Sequence, residues 1–136
     1  MNRDVPFESV PGLEPGESVL GTWTAQAAED DASRGGSGCL VLTDRRCLFY
    51  RRAGILGGRR LEPTPTFSEP LGPLETVAPH RFWMRIGYGD RVELPGIEVG
   101  ARRFRLVRGV DPAEVVRAVR SARERARGPD GAIAKT

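Results

Sequence analysis

The chain has 136 residues and a mass of 14.9 kDa, enough for one domain and too little for two ordinary ones. With 21 Lys+Arg against 18 Asp+Glu, 29% charged and 39% hydrophobic residues, the balance is that of a folded soluble domain and not of a disordered chain. No apolar run approaches the roughly 20 residues that span a bilayer, MNRDVPFESVPG lacks the apolar core of a secretory signal, and a single histidine beside two cysteines argues against a Cys/His zinc site. A cytoplasmic protein with no metal and no other cofactor is expected.

Residues 1–17, with Pro6, Pro11 and Pro15, read as an irregular segment. A first strand is expected over Ser18–Ala27, with Val19, Gly21, Trp23 and Ala25 on one face and Leu20, Thr22 and Thr24 on the other. The polar, Gly-rich stretch EDDASRGGSG (29–38) reads as a loop. GCLVLT (38–43) and CLFYRR (47–52) form the arms of a hairpin closed by TDRR, where Thr43 and Asp44 can bond the local backbone. Cys39 and Cys47 flank that turn; their spacing leaves a disulfide open, and a reducing compartment favours two buried thiols.

RRAGILGGRR (51–60) reads as a long turn or hairpin extension. Pro63, Pro65, Pro70 and Pro73 restrict residues 61–73 to an edge strand or a loop, and PLETV (73–77) is expected to re-enter the sheet. HRFWMRIG (80–87) alternates, with Phe82, Met84 and Ile86 facing one way and Arg81, Trp83 and Arg85 the other; the latter set is expected to face outward. After the turn GYGD come RVELPGIEV (91–99) and ARRFRLVRG (101–109), with Arg103 and Arg105 opposed to Phe104 and Leu106. The period then changes to that of a helix over 111–127. Asp111 is placed at its N-cap, Pro112 at its first position and Glu114 two residues later, as in a capping box, and Gly128-Pro129 stops it. Its apolar stripe is Val115, Val119, Ala122 and Ala126 with Val116 beside it. Residues 128–136 read as a frayed tail.

The order is therefore mainly β: about seven short strands followed by one amphipathic helix, a β-barrel with one helix over 18–127. The segments LEPGESVL (13–20), GCLVLTDRRCLFYRR (38–52), PLETV (73–77) and FRLVRGVDPAEVVRAV (104–119) resemble the bacterial PH-like (pleckstrin-homology-like, GRAM-like) domains, over roughly residues 13–126. The resemblance implies antiparallel strands in two near-orthogonal sheets, capped by the C-terminal helix. It also implies a module that binds phosphoinositides, peptides or proteins, or that self-associates. The acidic loop with Glu29, Asp30 and Asp31 would repel an inositol phosphate at the site used by eukaryotic relatives.

Two surfaces carry the functional readings. Trp83 with Arg81, Arg85, Arg103 and Arg105 forms a cationic, aromatic face that fits a protein interface, a stacked single-stranded base, or a solvated outer face. Arg51, Arg52, Arg59 and Arg60 flank Ile55 and Leu56, a pattern that fits contact with an anionic membrane or another anion, or a tip folded back on the barrel. Residues 1–44 carry a net charge of −6 and residues 45–136 one of +9, which permits head-to-tail association or an anionic partner. A net charge of +3 does not by itself indicate nucleic-acid binding. Neither a nucleophile elbow nor a phosphate-binding loop is present, so no catalytic residue is assigned. The expected function is non-catalytic protein association, including self-association. The alternative is peripheral binding to the inner membrane surface through residues 51–60.

Overall fold

A computed structural model describes residues 10–27, 37–53, 60–107 and 109–128. They form seven strands and a helix: β1 (Val19–Ala27), β2 (Ser37–Thr43), β3 (Arg46–Arg51), β4 (Phe67–Pro70), β5 (Val77–Ile86), β6 (Asp90–Val99), β7 (Arg102–Leu106) and α1 (Pro112–Arg127). All pairings are antiparallel, in the order β4-β3-β2-β1-β7-β6-β5.

This is one continuous sheet rather than two. The reason lies in β1, which pairs along its length with β2 while its last residues, Ala25–Ala27, pair with Phe104–Leu106 of β7. The sheet does not close into a barrel; β4 and β5 remain as its two edges. It is nevertheless strongly bent. Phe67 of β4 and Phe104 of β7 are four strands apart, roughly 19 Å in a flat sheet at ~4.8 Å per strand, yet their ring centroids lie 5.2 Å apart. Phe49 also meets Phe104, at 5.1 Å. These rings, with Leu40, Leu42, Ile97 and Val99, fill the concave side.

The helix closes that side. Asp111 accepts from the Ala113 backbone N–H at 3.0 Å, and Pro112 occupies the first turn, where an N–H has no intrahelical partner. Val115, Val116, Val119 and Ala122 are buried in the core, whereas Ala126 is exposed. Three of the helical arginines are clamps. Arg120 donates to the Val77 carbonyl at 2.7 Å, Arg123 to Glu75 at 3.0 Å, and Arg127 to Gly72 and Leu74 at 2.9 and 3.0 Å. They hold the β4–β5 connection, where PLETV is not a strand until Val77. The Pro-rich segment instead supplies β4, an edge strand paired with β3.

The β2–β3 hairpin is buried on both faces, which explains its unbroken apolar runs CLVL and CLFY. Leu40, Leu42, Cys47 and Phe49 face the main core. Cys39, Val41, Leu48 and Tyr50 face outward into a second cluster with Leu61, covered by Val10 and Leu13. The part of the N-terminal segment from Val10 onward is thus a built part of the domain. The Glu17 carboxylate, its side chain fully buried, accepts from Arg46 Nε at 2.8 Å, Arg46 Nη2 at 2.9 Å and the Thr43 hydroxyl at 2.7 Å. The Tyr50 hydroxyl donates to the Pro11 carbonyl at 2.6 Å. Asp44 accepts from the Ser18 backbone N–H at 3.0 Å, and Arg45 pairs with Glu14 at 3.1 Å. LEPGES and TDRR are therefore two halves of one hydrogen-bonded corner.

Candidate functional site

β5 and β6 are ten residues each, but only their base belongs to the body of the domain. β6 pairs with β7 only over Gly96–Val99. From Asp90 to Pro95 it pairs with β5 alone, so Arg81–Ile86 and Asp90–Pro95 form a two-stranded arm that runs past the core to the turn Gly87-Tyr88-Gly89. Gly87 and Gly89 have φ of 62° and 104°, left-handed values that a tight turn needs and that glycine adopts without strain.

Directly opposed residues of an antiparallel pair share a face, so the register assigns both sides of the arm. Val77, Pro79, Arg81, Trp83 and Arg85 lie with Val99, Ile97, Pro95, Glu93 and Arg91 on the face that at its base is the core. His80, Phe82, Met84 and Ile86 lie with Gly96, Leu94, Val92 and Asp90 on the other face. The sequence-based orientation is thus reversed: Arg81, Trp83 and Arg85 continue the core side, and Phe82, Met84 and Ile86 look outward. Both sets are alternating, and only the buried base, Val77 and Ile97, fixes which face is which.

Along the arm the core-side face is cationic and aromatic. Trp83 is 53% exposed, with the Arg91 guanidinium 5.2 Å from its ring centre. Arg81 pairs with Glu93 at 3.4 Å across the two strands, in solvent, where such a pair contributes little. The outward face is apolar. The Phe82 ring covers Gly96, where an added Cβ would come within 2.2 Å of it, and the His80 ring stands edge-on to Phe82 at 4.6 Å. Beyond them Met84, Ile86 and Val92 are exposed, and Tyr88 at the tip is fully exposed. Large apolar groups crowded on both faces of one exposed hairpin are unlike the scattered singles of an ordinary surface.

Arg103 and Arg105 do not join the Trp83 face. Their register against Glu98 and Gly96 puts them on the outward side of β7, where Arg105 bonds the Gln26 side chain and Arg103 is exposed opposite Glu98. What sequence reasoning missed is the outward row of Met84, Ile86 and Val92; the turn signal at 87–89 together with a short β7 was the sign that the hairpin outruns its neighbour.

Of the second predicted surface, Ile55, Leu56 and Arg59 lie outside the described residues. Its stem is described: Arg52 bridges Leu61, and the Ala53 N–H donates to the Arg60 carbonyl at 2.8 Å, so the two ends of the loop are held together. Arg51 and Arg60 are exposed and Arg52 is half-buried.

The two thiols are free and buried. Cys39 faces the outer cluster and Cys47 the main core, on opposite sides of the sheet, so they do not bridge. Burial pushes both up to about 12, which leaves them protonated and poorly nucleophilic. Among the described residues no group of three or more His, Cys, Asp or Glu is placed to hold a metal ion, and no helix is long and apolar enough to cross a membrane. No protein-family model matches the chain, and no curated protein matches its sequence.

Proposed function

We propose that this chain is a cytoplasmic, non-catalytic interaction module of PH-like architecture that associates with protein, itself included, through the β5–β6 arm. The architectural part rests on the strand order, the single helix after β7, and the corner in which LEPGES meets TDRR. The functional part rests on one observation: the arm leaves the body of the domain with Trp83, Met84, Ile86 and Val92 exposed on its two faces. Burying such groups is worth roughly 25 cal/mol per Å², and Trp beside Arg is the composition favoured where interfaces concentrate their binding energy.

Light scattering after size exclusion tests the proposal, with the double variant Met84→Glu, Ile86→Glu as comparison. Both side chains are outside the core, so the variant keeps the circular dichroism and melting behaviour of the parent. Loss of the multimer in this variant supports the arm as the contact; a multimer unchanged by it contradicts that assignment.

A second reading has one observation behind it. The Arg52–Leu61 bridge and the Ala53–Arg60 hydrogen bond bring Arg51, Arg52 and Arg60 together at one stem, a cluster of cations suited to anionic headgroups. Sedimentation with vesicles containing anionic lipid, lost on Ile55→Asp with Leu56→Asp, is the result this reading requires.

A further inference from the structure

The two edges of the sheet are not equivalent. β4 is four residues long and ends in Pro70, a blunted edge. β5 is ten residues long, and α1 reaches only its base, where Arg120 donates to Val77. Among the described residues, no strand lies beside the outer edge of β5 from Ala78 to Ile86. Such an edge is a template for another strand, and Pro79 is the one residue along it without an N–H to offer.

We propose that the strand added there is β5 of a second copy, antiparallel about a two-fold axis at Phe82, which joins two domains into one continuous sheet. This rests on the reading of the arm as an association surface and names its partner and register. Charge, Arg–Trp contact and the length of strand paired together select the register. With Phe82 opposite itself, Arg81 of each copy lies opposite Trp83 of the other, His80 opposite Met84, Arg85 opposite Pro79, and Ile86 opposite Ala78. No like charges face each other across the new pairing, and two Arg–Trp contacts form, a favourable cross-strand and cation–π combination. Centring on Trp83 would set Arg81 against Arg85 twice. Centring on Arg81 would set that arginine against itself. Centring on Met84 keeps Trp83 opposite Arg85 but leaves only Phe82–Ile86 paired. The alternation matches as well: every pair in the chosen register joins residues of the same face, so hydrogen-bonding positions of the two edges coincide.

Beside Pro79, where the tip of the second copy would run, lies an open groove of about 410 Å³ lined by Pro79 of β5 and by Ala113, Val116, Arg117 and Glu124 of α1 among others. The Arg85 side chain of the second copy comes alongside that groove. The interface is isologous and therefore stops at a dimer.

The test uses the full chain with single cysteine substitutions, the native Cys39 and Cys47 being buried, and a charge exchange. Phe82→Cys is expected to form an 82–82 disulfide under mild oxidation, whereas Met84→Cys is not. Trp83→Arg sets Arg against Arg81 at both symmetry-related sites and is expected to raise the dimer Kd by about tenfold or more. Adding Arg81→Glu to it restores an Arg–Glu pair at each site and returns the Kd to within about threefold of the parent. These variants are read by mass and cross-link, with thermal melting showing the fold intact, including at half-buried Phe82. A dimer that survives Trp83→Arg and cross-links at residue 84 but not 82 overturns the register and leaves association through the arm standing. A chain that is monomeric at all concentrations, or that is monomeric and binds anionic vesicles through Met84 and Ile86, overturns both.

Discussion

Val77 and Trp83 lie on the same face of β5, yet Val77 is 3% exposed and Trp83 53%. The strand crosses from core to solvent between them without changing sides. At its base this face packs under α1 and β7; six residues later the partner strand β6 has outrun β7, and among the described residues no further strand or helix packs on that face.

The first prediction follows from that contrast. Trp83→Ala is expected to change the unfolding free energy by less than about 1 kcal/mol, while Phe104→Ala, in contact with Phe49 and Phe67 at the centre of the core, costs about 3–5 kcal/mol. Paired denaturant titrations measure both. A large loss for Trp83→Ala in a monomeric sample would place its ring in the core.

The N-terminal corner predicts an acid transition. Hydrogen bonds from Arg46 hold the Glu17 carboxyl at about 2, well below its ordinary 4.5, against the opposing cost of its burial. The folded state therefore favours the ionised form. Its contribution is complete above about 4.5 and is lost as pH falls through that value toward 2. Glu17→Gln is expected to lower stability at neutral pH by about 2 kcal/mol, because it leaves Arg46 without its partner. It should also flatten the loss of stability between pH 4.5 and 2. Melting temperatures of parent and variant across pH 2–7 test this; parallel curves would contradict it.

The helix clamps predict a local effect. Arg127 holds two carbonyls, those of Gly72 and Leu74, and Arg127→Ala is expected to cost about 1–2 kcal/mol. Amide exchange should quicken in residues 71–77 and the last turn of α1 before it changes in β2 and β3. Uniform acceleration throughout the domain would argue against a local clamp.

Thiol chemistry predicts slow, separable labelling. With Cys39 and Cys47 buried on opposite faces and raised to about 12, the native protein is expected to react with an aromatic disulfide reagent only through opening of the fold. Both thiols should titrate fully in denaturant. Rapid native labelling would contradict the burial.

Several of these features were legible in the sequence for physical reasons. The helix was marked by Asp111, Pro112 and Gly128, each tied to a specific backbone need, and the β2–β3 turn by Thr43 and Asp44. The arm was harder. Period-2 alternation in RFWMRI says that neighbours face opposite ways but not which way the core lies, and on a hairpin outrunning its neighbour neither face is buried. The joining of the sheet through Ala25–Ala27 and Phe104–Leu106 is a non-local pairing with no local signal. So is the partnership of Glu17 with Arg46, 29 residues apart. The β4 strand is four residues among prolines, too short for a period to register. The clamping role of Arg120, Arg123 and Arg127 was not legible, because an arginine on the polar side of a helix looks the same whether it meets water or a carbonyl.

Association through the arm is tested most directly by sedimentation velocity on the full chain across a hundredfold range of concentration, at low and high salt. The account predicts a species of about 30 kDa, twice the 14.9 kDa chain, that persists at high salt and whose dissociation to the monomer moves to about tenfold higher concentration or more in Trp83→Arg. A single species at the chain mass throughout would contradict it.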